Sequence, residues 1–205
     1  MLNLLMTFAL TAFPVSQLDQ DSLEYLNSKS VGVFTNEYKT CTAFVWDSER
    51  FITNNHCTRN GLNQVYYGQI SVGEKLATGR LDSYDYGNDY SLLTTGDSLP
   101  APVLREVGKR EGQAYIIHQR SGELLISYCS YWRVGAKYIK HNCDTASGAS
   151  GSPVFDLVSN KAISLHWGWS LDEQGNKLEG YSNALEVVEG NRFFNEALPE
   201  RFIYE

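Results

Sequence analysis

The chain has 205 residues, with 17 Lys and Arg against 24 Asp and Glu, for a formal net charge of −7. That length supports one compact domain, or two small half-domains sharing an interface. With 20% charged and 13% aromatic residues, the composition excludes a disordered acidic tail, and the acidic balance argues against nucleic acid as a partner, because a phosphate backbone needs a basic face.

Residues 1–18 carry no charged side chain, and Asp19 is the first. Leu2 to Phe13 is largely apolar but shorter than the roughly 20 residues that cross a bilayer. Its position and composition fit a secretory signal core ended by Pro14. Residues 1–16 are read as a signal peptide and 17–30 as an N-terminal or propeptide segment, giving a secreted or periplasmic protein. The competing reading is a buried N-terminal helix. No other stretch could span a membrane, so no stable membrane insertion is expected.

After a polar, helix-compatible stretch from Asp19 to Lys29, the chain breaks into short β-prone runs. These are Val31 to Phe34, Thr42 to Trp46, Arg50 to Thr53, Gln64 to Tyr67, Tyr90 to Leu93, Ala114 to Ile117, Leu124 to Tyr128 and Ala162 to His166. Turn residues such as Asn60-Gly61, Gly87-Asn88 and Ser121-Gly122 lie between them. Short strands with turn chemistry at regular spacing predict an all-β barrel or sandwich. Asp97 to Pro102 is the candidate linker between two halves. Glu186 to Leu198 is amphipathic and stopped by Pro199, with Gly190 setting the expected helix start near Asn191. No internal repeat is present.

Four cysteines, Cys41, Cys57, Cys129 and Cys143, suggest two disulfides in an exported chain. Three connectivities are open, and sequential pairing closes two short loops of about 3 kcal/mol each in the chain-entropy model. The rival is a zinc site built from His118, Cys129, His141 and Cys143, although neither Cys-x-x-Cys nor His-x-x-x-His spacing is present.

Three local signals carry chemistry. Gly148-Ala149-Ser150-Gly151-Ser152-Pro153 places small residues around a serine, so the backbone can turn sharply and bring amides to a substrate carbonyl. Thr53-Asn54-Asn55-His56-Cys57 sets a histidine directly after an apolar strand. Gly87-Asn88-Asp89-Tyr90-Ser91-Leu92-Leu93 brings an acid into an apolar run, with Asp82, Asp85 and Asp97 as neighbouring competitors. A nucleophilic serine needs a base, and that imidazole needs a carboxylate to fix its tautomer.

The order His56, Asp89, Ser150 in these flanks resembles the chymotrypsin-like serine peptidases. T-N-N-H-C is similar to that family's T-A-A-H-C, N-D-Y-S-L-L to its N-D-I-x-L-x, and G-A-S-G-S-P stands in place of G-D-S-G-G-P. The resemblance spans about residues 31 to 198. It implies two six-stranded antiparallel β-barrels with the site between them, barrel one over about 31–100 and barrel two over about 103–190, followed by a C-terminal α-helix over about 191–198. It implies His56 as base, Asp89 as its orienting carboxylate, Ser150 as nucleophile, and the amides of Gly148 and Ser150 as the oxyanion hole. The expected bridges are Cys41–Cys57, which brackets the histidine as in the family, and Cys129–Cys143.

Within that family the chain resembles the bacterial glutamyl endopeptidase branch, through Asp144-Thr145-Ala146-Ser147-Gly148-Ala149-Ser150-Gly151-Ser152-Pro153-Val154 and Ile163-Ser164-Leu165-His166-Trp167-Gly168. The resemblance implies that Thr145 and His166 bind a glutamate carboxylate by charge-assisted hydrogen bonds, and Gly168 is counted with them among the specificity residues. Asp144 stands where trypsin-type pockets select Lys or Arg, so a basic preference is the rival specificity. Ala149 cannot form the ion pair that activates the digestive enzymes. His118, His141, Trp167 and Trp169 read as core or cleft wall. No metal or organic cofactor is implied, the partners are protein or peptide substrates, and a monomer is expected. The alternatives to a peptidase are a non-catalytic double-barrel binding module and a zinc-stabilised intracellular domain.

Overall fold

The computed structural model describes residues 11–61, 63–190 and 203–204. Twelve strands form two closed barrels. The first contains β1 (Val31–Thr35), β2 (Thr40–Val45), β3 (Arg50–Thr53), β4 (Tyr67–Val72), β5 (Lys75–Asp85) and β6 (Tyr90–Thr95). The second contains β7 (Glu111–Arg120), β8 (Glu123–Val134), β9 (Tyr138–His141), β10 (Pro153–Asp156), β11 (Ala162–Leu171) and β12 (Lys177–Ala184). All ladders within the barrels are antiparallel, and both barrels share one connectivity. In each, the first strand pairs with the second and fourth, the third with the sixth, and the fifth with its two neighbours in sequence. The repeat is one of topology, with no trace in the sequence.

The continuous apolar runs have a simple cause. Successive strand residues face opposite sides of a sheet, and where two barrels pack together both sides are dry. In β2, Ala43 and Val45 fill the first barrel while Phe44 faces the second barrel. Phe51 and Ile52 in β3, and Leu93 and Leu92 in β6, divide in the same way. In barrel two, Ala114 and Ile116 point inward and Tyr115 and Ile117 join the interface cluster, which also takes Phe155, Leu165 and Val15. Burying each such side chain contributes about 1.5–3 kcal/mol, so the interface is as much a core as either barrel interior.

The expected Gln64 to Tyr67 strand lies too early. Asn63–Gln64 pairs only with Arg59–Asn60, and the barrel strand begins at Tyr67. Residues 96–110 connect the barrels and are tied to both: Val103 N–H donates to Val45 O (3.0 Å), and Ala162 N–H donates to Leu104 O (2.8 Å). Near the N-terminus, Phe13–Pro14 pairs with Ile126 and Leu125 of β8, and α1 (Leu23–Ser28) is capped by Ser22, whose hydroxyl accepts Tyr25 N–H. Helical turns follow β12 at once as α2 (Leu185–Gly190), ahead of the expected start near Asn191, because Leu185 and Val188 bury into the interface cluster. The expected 191–198 helix lies outside the described residues. Ile203–Tyr204 pairs with Trp169 and Gly168 on the edge of β11.

Both expected disulfides are present, Cys41–Cys57 and Cys129–Cys143. They use all four sulfurs, so among the described residues no free thiolate is left for the rival zinc site.

Candidate active site

β3 stops at Thr53, Asn54 leaves it in extended conformation, and Asn55–Thr58 wind into a single 3-10 turn that carries His56. The turn is held from several directions. Asn36 Nδ2 donates to Cys57 O (2.8 Å), Lys39 Nζ donates to His56 O (2.6 Å), and Cys57 is bridged to β2 through Cys41. From β6, Ser91 Oγ meets Thr58 Oγ1 at 2.7 Å and accepts from Asn55 Nδ2 at 3.2 Å.

Asp89 enters β6 from a turn with φ of +47°, a left-handed conformation that aspartate tolerates better than most residues. Asn54 Nδ2 donates to its carbonyl (2.9 Å). Barrel two secures the two residues before it: Lys137 Nζ donates to Gly87 O and Asn183 Nδ2 donates to Asn88 O. The Asp89 carboxylate then faces His56, whose Nδ1 lies 2.7 Å away. A carboxylate only accepts, so Nδ1 carries the ring proton. Nε2 is left as an acceptor, and it lies 2.8 Å from Ser150 Oγ.

Ser150 sits on a turn pinned to barrel one by Thr42. Thr42 Oγ1 donates to Gly148 O (2.9 Å) and Thr42 N–H donates to Ser150 O (2.8 Å). On the other side Gly151 N–H donates to His166 O (2.8 Å). Gly148 and Gly151 have φ of +95° and +87°, which other residues rarely adopt. A Cβ on Gly151 would lie 2.1 Å from Thr42 O, and one on Gly148 would lie 1.7 Å from the tip of Gln119.

Among the residues expected to set specificity, His166 is tied directly to this turn through its carbonyl. Thr145 and His166 are buried, and Gly168 is buried in β11. Cys143 N–H donates to His141 Nδ1 (3.3 Å), so His141 carries its proton on Nε2 and donates to His166 Nδ1 (3.0 Å). His166 is therefore neutral with its proton on Nε2. Burial holds both imidazoles well below the ordinary histidine range, with the Lys177 charge pushing the same way. Asp144 faces elsewhere: Oδ2 accepts Ala12 N–H (3.0 Å) and Oδ1 lies 3.5 Å from Arg120 Nη2.

A model of the trypsin-like peptidase domain matches residues 41–165, more than half of the chain and the span that holds His56, Asp89 and Ser150. The chain belongs to the trypsin-like peptidase domain family. A search of curated proteins returns no significant match. Among solved structures, the trypsin-like chain is similar to the Rv3671c protease of M. tuberculosis, at 18% identity over 83% of this chain and 82% of that one, with a TM-score of 0.68. It is similar to a Glu endopeptidase at 15% identity over 80% and 90% of the two chains, TM-score 0.64. A human astrovirus serine protease matches at 14% identity over 77% and 90%, TM-score 0.62. At such identities the likeness is one of fold and does not resolve a branch.

Four residues around the trypsin-like cleft escape a reading of the sequence alone. Thr42, Lys137, Asn183 and Lys177 each act on a segment distant in the chain. Thr42 lies in a strand that reads as plain β structure, and the other three have no local motif to mark them.

Proposed function

We propose that the chain is an exported serine endopeptidase that cleaves peptide bonds through an acyl-enzyme. The observation that carries this reading is the unbroken relay Asp89 carboxylate, His56 imidazole, Ser150 hydroxyl, at 2.7 and 2.8 Å. Ser150 Oγ attacks the scissile carbonyl as its proton passes to His56 Nε2. Asp89 stabilises the imidazolium, and the Gly148 and Ser150 amides face the oxyanion, each such donor being worth about 3–4 kcal/mol of barrier. Collapse of the tetrahedral species breaks the C–N bond, and His56 returns the proton to the leaving amine. Water, deprotonated by the same imidazole, then releases the acyl group from Ser150. Export is supported by the apolar run Leu2 to Phe13 and by the two disulfides.

On specificity, an acidic residue before the scissile bond is favoured over Lys or Arg. The rival reading needs the Asp144 carboxylate in the pocket, yet its Oδ1 lies 3.5 Å from the Arg120 guanidinium. Thr145 and the Nε2–H of His166 are the donors that suit a carboxylate. Digestion of a peptide library read by mass spectrometry tests both levels. Cuts after Glu and Asp are expected, a profile dominated by Lys or Arg moves the selector back to Asp144, and no cutting at all favours a non-catalytic binding module.

A further inference from the structure

Two neutral imidazoles and one hydroxyl form a thin receptor for a carboxylate. A buried carboxylate without a counter-charge is strongly penalised by desolvation, and His166 and His141 are both proton-poor by their own hydrogen bonding. The positive charge has to come from another part of the fold.

Lys177 supplies one. It opens β12, and its Nζ donates to both Thr145 O and Thr145 Oγ1. The same ammonium lies 4.6 Å from the centre of the Trp169 ring. Trp169 follows Gly168 in β11, and this stretch pairs with β12 through Gly168 and Tyr181. One ammonium therefore touches the expected hydroxyl donor and stacks on the strand that carries Gly168. Its charge also acts on His166 and His141, which sets it within electrostatic reach of the whole donor group.

We propose that the Lys177 ammonium is the counter-charge for an acidic side chain ahead of the scissile bond, making Lys177 a specificity-determining residue together with Thr145 and His166. This rests on the peptidase reading above and deepens it. The ammonium donates to Thr145 Oγ1, which leaves the Thr145 hydroxyl proton to point at the incoming carboxylate. Lys177 thus acts twice, as a charge and as the group that aims a neighbour's donor.

The experiment compares kcat/KM on two peptides that differ only in Glu or Gln before the cut, for the intact protein, Lys177→Met and Lys177→Arg. A charge-assisted hydrogen bond predicts that the Glu-to-Gln ratio falls by about 10- to 100-fold in Lys177→Met and is partly kept in Lys177→Arg. A Lys177→Met ratio equal to that of the parent overturns the proposal. So does an equal loss on both peptides, which would mark Lys177 as a structural tie to Thr145. Labelling of Ser150 by a fluorophosphonate separates the two levels: a labelled parent that prefers Lys or Arg overturns the role of Lys177 alone, and an unlabelled, inactive parent overturns the peptidase reading along with it.

Discussion

Asp89 holds His56 at two points: Oδ1 accepts the backbone N–H of His56 at 2.9 Å, and Oδ2 meets ring Nδ1 at 2.7 Å. One carboxylate thereby fixes both the turn that carries the imidazole and the tautomer of the ring. The neutral-ring state that this selects has its lone pair on Nε2, aimed at Ser150.

Asp89→Asn keeps the shape of that contact but places an amide against a ring nitrogen that needs an acceptor. Turnover is expected to fall about 10^4-fold, and by about 10^6-fold for His56→Ala or Ser150→Ala. Steady-state kinetics on one peptide, with circular dichroism as the folding control, checks the ranking. An Asp89→Asn enzyme as fast as the parent would remove Asp89 from the relay.

Asn183 belongs to barrel two, yet it holds the carbonyl of Asn88, next to Asp89 in barrel one. Asn183→Ala leaves that buried carbonyl without its partner, at a cost of about 1–3 kcal/mol, and loosens the carboxylate that aims His56. Urea unfolding should register the loss of stability. The accompanying kinetic signature is a fall in kcat larger than any rise in KM, whereas a purely structural Asn183 would leave kcat of the folded protein unchanged.

Gly148 and Gly151 flank the same serine and should fail in different ways. At Gly151 a methyl group meets the backbone oxygen of Thr42, which cannot swing aside, so Gly151→Ala should destabilise the fold by at least about 2 kcal/mol. At Gly148 the obstacle is the end of the Gln119 side chain, which can move, and the damage falls on the amides proposed to hold the oxyanion. Gly148→Ala should stay folded and lose about 10^2- to 10^3-fold in kcat. Denaturation midpoints and kcat for the two variants, measured side by side, would refute this if the effects were exchanged.

Acid should unfold the protein through its buried histidines. Burial pushes His118 down to about 4, with Arg120 adding to the effect and Asp144 opposing it, and burial lowers His141 and His166 as well. Unfolded histidines take up protons near pH 6.5, so between 6.5 and 4 the unfolded state binds more protons than the folded one. Stability is therefore full above about pH 6.5 and falls as the pH drops towards 4, by about 3 kcal/mol from His118 alone. Urea unfolding at pH 7, 5.5 and 4.5 reads this directly. His118→Asn should flatten the profile, and an unchanged slope would remove His118 from the account.

Much of this architecture was legible in the residues because the chemistry and the burial are local. His56, Asp89 and Ser150 stand in flanks that suit a strand end, a turn and a glycine elbow. Strands such as Arg50–Thr53 and Ala162–Leu171 announce themselves because both of their faces are buried. Lys75–Asp85 did not, since small residues such as Ala77 and Gly79 occupy its inward positions while charged ones face water. Lys177–Ala184 reads as polar because Glu179 and Asn183 serve contacts rather than packing. The roles of Lys137 and Lys177 depend on carbonyls 50 and 32 residues away, a relationship that only the folded chain defines.

The central claim is that Ser150 is a hydroxyl made nucleophilic by its neighbours, and covalent capture measures that property itself. Incubation of the folded protein with a fluorophosphonate, followed by peptide mapping, should give one adduct per chain, on Ser150, with labelling strongly slowed in His56→Ala. A folded protein that takes up no label, or takes it on a different residue at a rate indifferent to His56, would contradict the account.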